Sequence, residues 1–259
     1  MKSENEIYTS WRKVIFFSLM ITLLILVFPT VSGAIIVVFK LSEMQGRVTQ
    51  AMAFLIAGIL GYIISRLRFG NFKSVFIYNK GRFLPRDYIW FIPVIFAEML
   101  PFISGLKEEL IFGEVVIIFL FTASVGFTEE LYFRGLIAKS MIEKSMPLAI
   151  ILSSFLFSVG HFLNLLTGAG LIDTLLQVVF AFIFGIVALE ISIVTGNIGI
   201  AIIWHWAHNF ISLLTTSNDG ERSFYIEIIQ GIILILYGLF LWRKLDGVKD
   251  EYHNERTHS

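Results

Sequence analysis

Six side chains in this 259-residue sequence are strongly polar or ionisable yet lie in long apolar runs: Glu129, Glu130, Arg134, His161, His205 and Asn209. Ionisable groups inside apolar helices are costly and mark either a function or a buried pair. The first three fall in Gly126-Phe127-Thr128-Glu129-Glu130-Leu131-Tyr132-Phe133-Arg134-Gly135. Neighbouring residues of an α-helix point about 100° apart, so the two glutamates cannot face the same way. Glu130 and Arg134 are four apart and can pair on one face. Glu129 is then left without a local counter-charge. A carboxyl free to take and return a proton is what general acid–base catalysis requires. The structural alternative is that both glutamates simply bond neighbouring helices. Phe157 and His161 share a helical face, and so do His205 and Asn209; Trp204 and His208 share a different face, which fits packing.

Depth tests whether these pieces can meet. Glu129 and His161 are symmetric about Ser145, and Lys144-Ser145-Met146-Pro147 suits the tip of a helical hairpin. His205 follows a turn at Thr195-Gly196-Asn197. At about 1.5 Å per residue, Glu129, His161 and His205 then share a layer about 12 Å beneath one membrane surface.

The elements that hold this layer are read from composition. The chain is 56% hydrophobic and 15% charged, with 26 Phe and no Cys. Soluble domains carry about 25% charged residues, and this chain has too few to cover a water-facing skin. The missing Cys excludes disulfides, thiolate metal sites and a thiol nucleophile. Zero net charge gives no electrostatic case for a nucleic-acid partner. Apolar windows of about 20 residues are long enough to span a bilayer. Such windows fall at 14–39, 48–65, 88–106, 111–137, 147–163, 174–195, 197–216 and 224–242. The first is too long for a signal-peptide core and reads as a retained span. Sixteen of the 20 Lys and Arg fall in segments 1–13, 66–86, 134–144 and 243–256, and only Lys40, Arg47, Lys107 and Arg222 fall in the alternate loops. The positive-inside rule then puts both termini in the cytoplasm. The expected fold is an all-α polytopic membrane helix bundle of about eight transmembrane helices, one domain over 1–259. The stretch from Arg66 to Arg86 mixes basic residues with Phe and Val. That suits either a surface-lying segment or a plain cytoplasmic loop.

Glu129-Glu130-x-x-x-Arg134, then Phe157-x-x-x-His161, then His205-x-x-x-Asn209, each on its own apolar helix, resembles the CPBP family. These are the CAAX protease and bacteriocin-processing (Abi) intramembrane endopeptidases, related to type II CAAX prenyl endopeptidases. The resemblance covers residues 110–216, which are the expected catalytic core helices. It implies peptide-bond hydrolysis by activated water, with Glu129 as base assisted by His161, and His205 and Asn209 stabilising the oxyanion. Glu130 and Arg134 would support the helix. It implies a peptide or lipid-modified peptide as partner, among prenylated, bacteriocin or signalling peptides, reached from the cytoplasmic side.

No cofactor is the preferred expectation, since the metalloprotease signature His-Glu-x-x-His is absent. Zinc is the alternative, with Glu129, His161 and His205 as ligands. Two other functions use the same residues differently. One is a proton-coupled transporter that relays protons through Glu129, His161 and His205. The other is a non-catalytic immunity protein that binds a peptide in the bilayer. An Ile-, Phe- and Lys-rich composition suits an AT-rich bacterium, so the expected location is a bacterial cell membrane.

Overall fold

The computed structural model describes residues 10–77, 91–108, 110–216 and 220–257; for 167, 220–223 and 246–257 only the backbone is described. Every long apolar window folds as helix, because lipid leaves the backbone no other partner than itself. The order is α1 (Trp11–Val38), α2 (Glu43–Phe69), α3 (Lys73–Phe76), α4 (Ile92–Met99), α5 (Phe112–Glu130), α6 (Lys139–Ile142), α7 (Met146–Val159), α8 (Leu171–Thr195), α9 (Gly199–Leu214) and α10 (Gly220–Thr257). The fold is the expected all-α polytopic membrane bundle.

Among the described residues six stretches are long and apolar enough to cross a bilayer: 11–38, 43–69, 112–142, 146–166, 171–195 and 224–245. The windows at 88–106 and 197–216 give shorter helices. In the first, α4 passes at Leu100 into a tighter turn over Leu100–Ser104 that contains Pro101 and stops at Gly105, whose φ is +86°. In the second, α9 has 16 residues. A helix of that length spans about 24 Å. The hydrocarbon core of a bilayer is about 30 Å thick. The surface-lying reading of 66–86 keeps only the short α3, with Val75 buried; residues 78–86 lie outside the described ones.

Local signals set the helix ends. A capping box starts α2, where Ser42 and Gln45 satisfy each other's backbone N–H. Ser145 caps α7 just before Pro147, so the hairpin tip falls where the sequence predicts it. Between α8 and α9, Gly196 takes a left-handed φ of 72°, and the Asn197 side chain accepts from the Gly199 N–H at 2.7 Å. A left-handed glycine is a common way to end a helix, since it carries no Cβ to clash.

Backbone contacts define the two ends of the bundle. At one, Ile77 pairs with Asn197, Lys139 donates to the Ile77 carbonyl, and the Lys144 ammonium lies over the Trp11 ring. At the other, Leu106 pairs with Thr215, and the Thr216 N–H donates to the Gly105 carbonyl. The short α9 links these two pairings, so it runs the whole way from one end to the other.

After Glu130, α5 does not continue as an ordinary helix. Leu131–Ala138 forms a wider π turn, all eight of its residues buried, before α6 resumes. Such i→i+5 stretches are rare and cluster at functional sites. Here the stretch brings the motif arginine and its aromatic neighbours into the core. Glycine permits a close helix-to-backbone contact: a Cβ on Gly126 of α5 would lie 2.9 Å from the Trp206 nitrogen of α9 and 3.2 Å from its Cα. The obstacle is backbone, which cannot rotate aside. Gly126→Ala is therefore expected to destabilise the protein by about 1–3 kcal/mol through overpacking. Thermal unfolding in detergent measures this.

Candidate active site

α5 and α9 carry the centre of the site, and the contact at Gly126 sets their separation. His205 projects from α9 between the two glutamates. Its Nδ1 lies 2.8 Å from Glu130 Oε1, and its Nε2 lies 3.6 Å from Glu129 Oε2. The first is a hydrogen bond; the second is too long to be one. Glu130 accepts, so Nδ1 carries a proton and the ring orientation is held, as a carboxylate holds the imidazole of a metal or catalytic site.

Glu130 and Arg134 form the expected ion pair at 3.0 Å, both side chains wholly buried. The Arg134 guanidinium also sits over the Phe157 ring, 4.6 Å from its centre. Phe157 in turn makes edge contacts with both His161 (5.2 Å) and His205 (5.7 Å). The first residue of the Phe157-x-x-x-His161 motif is therefore the packing hub that brings the two histidines together. His161 itself lies just past α7, in the tightened turn Gly160–Thr167.

A pocket of about 330 Å³ opens over these groups, and Glu129, His161 and Asn209 line it. That volume is at the lower end of ligand-site sizes. The Glu129 side chain keeps 17% of its surface exposed, whereas that of Glu130 keeps none. The division between a pocket-facing and a buried glutamate thus matches the 100° argument. His205 is absent from the pocket lining, and it reaches the site through its Nε2 edge beside Glu129.

Two features are not visible in the sequence. Spacing assigns Glu130 only to helix support, yet it also holds His205, a residue 75 positions away. Glu129 has no counter-charge on its own helix, and across helices it has the His205 ring. The second feature is a polar cluster on the adjoining face of α9, about 100° round the helix. Glu98 of α4 accepts from the Trp204 indole N–H at 2.8 Å and contacts His208 Nδ1 at 3.1 Å. The Gln230 side chain of α10 donates to the Ala97 carbonyl at 2.9 Å, which ties α4 to α10. Both faces of α9 are thus pinned, one by Glu130 and the other by Glu98. The shared face of Trp204 and His208 is legible in the sequence, but their partner is not.

Among the described residues the layer is covered on one side and lined by a pocket on the other. The wide turn Leu131–Ala138 and Met141 fill the end that carries Lys139 and Asn197, so the site is closed there. The pocket runs the other way, past Gln50, Thr122, Gln177 and Ser212.

Among the described residues no group of three His, Asp or Glu side chains is placed to hold a metal ion.

A bundle of membrane helices with a paired carboxylate–imidazole centre beneath a small pocket defines the class: a polytopic membrane protein with a buried polar site. Residues 111–211, which contain all three motifs, match the family model described as type II CAAX prenyl endopeptidase Rce1-like. The match supports assigning this segment to the CAAX protease (CPBP) family, and with it a general activity as an intramembrane CAAX-type endopeptidase. No curated protein and no solved structure gave a match to the chain.

Proposed function

We propose that this protein, one membrane domain with 110–216 as its catalytic core, hydrolyses an internal peptide bond of a peptide or lipid-modified peptide by metal-free, glutamate-dependent activation of water. The observation that carries this reading is Glu129: a carboxylate facing a pocket it shares with His161 and Asn209, beside an imidazole that Glu130 holds in place. Glu129 takes a proton from water while His161 assists in holding that water. The oxygen attacks the scissile carbonyl carbon, and the carbonyl oxygen becomes an oxyanion. Asn209 donates to it through its amide, and His205 through Nε2, which must carry the second ring proton to do so. When the C–N bond breaks, the protonated Glu129 returns its proton to the leaving amine. The charge count supports cytoplasmic termini, and the composition supports a bacterial cell membrane.

The test is cleavage of a prenylated peptide reporter by the purified protein in liposomes, beside a measurement of proton flux. Cleavage without flux is expected. Flux without cleavage would favour a transporter. The second buried acid–imidazole pair, Glu98 and His208, would be the next station of a relay. The Phe184 ring packs against both His205 (5.1 Å) and His208 (5.4 Å), which argues against a continuous polar path between the pairs. Peptide binding and immunity that survive loss of Glu129 would favour the non-catalytic reading. Chelators are expected to leave cleavage unchanged, and metal content of the purified protein should not track its activity. Loss of activity on chelation, restored by zinc, would overturn the metal-free step.

A further inference from the structure

Glu190 is the one ionisable side chain in the last two turns of α8, and the pocket over Glu129 does not include it. It is 1% exposed, and its Oε2 has no hydrogen-bond partner. A carboxyl oxygen buried without a partner costs free energy, and in a native fold such a group calls for a ligand, a water or a role. Gly238 of α10 gives the carboxyl its room. A Cβ there would lie 3.3 Å from Glu190 Oε2 and 3.3 Å from Val187 Cγ2. Tyr237, one residue back, is 4% exposed, and its hydroxyl also has no partner.

A cleft of about 300 Å³ between α7, α8 and α10 reaches Glu190. It shares no lining residue with the pocket over Glu129. Along α8 it runs from Phe182 to Glu190, and along α10 from Leu234 to Trp242. Each stretch is about 12 Å of helix, so the cleft has the elongated shape of a hydrocarbon chain. Ile151, Ile235 and Leu239 on its rim are exposed within membrane-spanning stretches, so it opens sideways into lipid. Trp242, followed by Arg243 and Lys244, sets the Glu190 end near a membrane surface, where aromatic and basic residues gather.

The lining states the class of ligand. Glu190 is its single ionisable side chain, and no Lys or Arg lines the cleft. A phosphate or carboxylate head would find no cation there and would meet a carboxyl. An ammonium head has three donors and would find one group to accept them. A hydroxyl needs one acceptor and brings no charge to bury.

From these observations we infer that the cleft between α7, α8 and α10 binds a single-chain amphiphile with an uncharged hydroxyl head, its hydroxyl donating to Glu190 and its chain lying towards Phe182 and Leu234. The inference is independent of the peptidase reading and of which way the bundle faces.

The probe is dodecanol with a diazirine near the end of its chain, added to the full-length protein in nanodiscs, irradiated, and mapped by mass spectrometry. The expected result is saturable labelling around Phe182 and Leu234. Unlabelled dodecanol should displace the probe better than dodecane does, and that preference should be about 2–10-fold larger in the parent than in Glu190→Leu, the effect of one hydrogen bond. Comparing the two proteins cancels partition into lipid. Ile235→Trp fills the rim from the lipid side and keeps Glu190, so it should remove the saturable labelling with thermal unfolding near that of the parent; it serves as the test if Glu190→Leu does not fold. Unsaturable labelling spread over α1 and α2, or unchanged labelling in Ile235→Trp, would overturn the site. An equal preference in parent and Glu190→Leu would overturn the role of Glu190 and leave its oxygen to a water. Dodecylamine competing better than dodecanol would overturn the uncharged head. A monoacylglycerol and a free fatty alcohol offer the same chemistry, and the one that displaces the probe at the lower concentration identifies the source.

Discussion

Glu129→Gln is expected to lower peptide cleavage by about 10²–10⁴-fold, the usual contribution of a positioned proton acceptor. That corresponds to about 3–5 kcal/mol of transition-state stabilisation. The substitution keeps the shape of the side chain and removes its ability to take a proton. Because Glu129 lies 3.6 Å from His205, beyond hydrogen-bond range, and faces the pocket, its replacement breaks no bond that holds the helices. Unfolding temperature in detergent should therefore stay near that of the parent. Full activity in this variant would remove Glu129 from the base role. A large fall in stability would mean that the carboxylate is structural.

The neighbouring pair has the opposite signature. Arg134→Met leaves Glu130 as a buried carboxylate without its guanidinium, and the expected loss is about 3–5 kcal/mol of stability. Replacing both partners, Glu130→Leu with Arg134→Met, removes both buried charges, and such swaps are often neutral or better. The double variant should recover stability in thermal unfolding. It should not recover cleavage, because His205 Nδ1 has lost the acceptor that sets its ring. Recovery of both would show that Glu130 acts only as support for the helix, as its spacing to Arg134 alone suggests.

These two predictions divide along the line between local and distant information. Glu130 with Arg134 is an i,i+4 relation, and helical periodicity makes such pairs readable from one segment. The same holds for the separation of Glu129 from Glu130 and for the turns at Ser145 and Gly196, where side-chain chemistry names the backbone conformation. The composition made the bilayer the solvent, and with it the helical fold. The three motifs in order also sufficed for the family, as the match over residues 111–211 bears out.

What one segment cannot state is how it rotates and how closely it approaches another. Glu98 meets Trp204 across 106 positions and Glu130 meets His205 across 75, and neither partner carries a mark that names the other. Those pairings follow from α9 lying against Gly126, from the π turn after Glu130 and from Phe157 filling the space between the histidines. The expected eight windows likewise became six long helices and two short ones, because prolines and terminal pairings, not hydropathy, decide where a helix stops.

The six polar residues and their spacing, written in the sequence, thus determine that ionisable groups lie inside the apolar helices and that Glu129 is the carboxylate with no partner on its own helix face. Tertiary structure alone decides that Glu130 holds His205, that Glu98 holds the adjoining face of α9, and that the pocket lies on the side of Glu129 away from Lys139 and Lys144. Periodicity specifies a face within a helix, and only the packing of helix against helix specifies what that face meets and which end is left open.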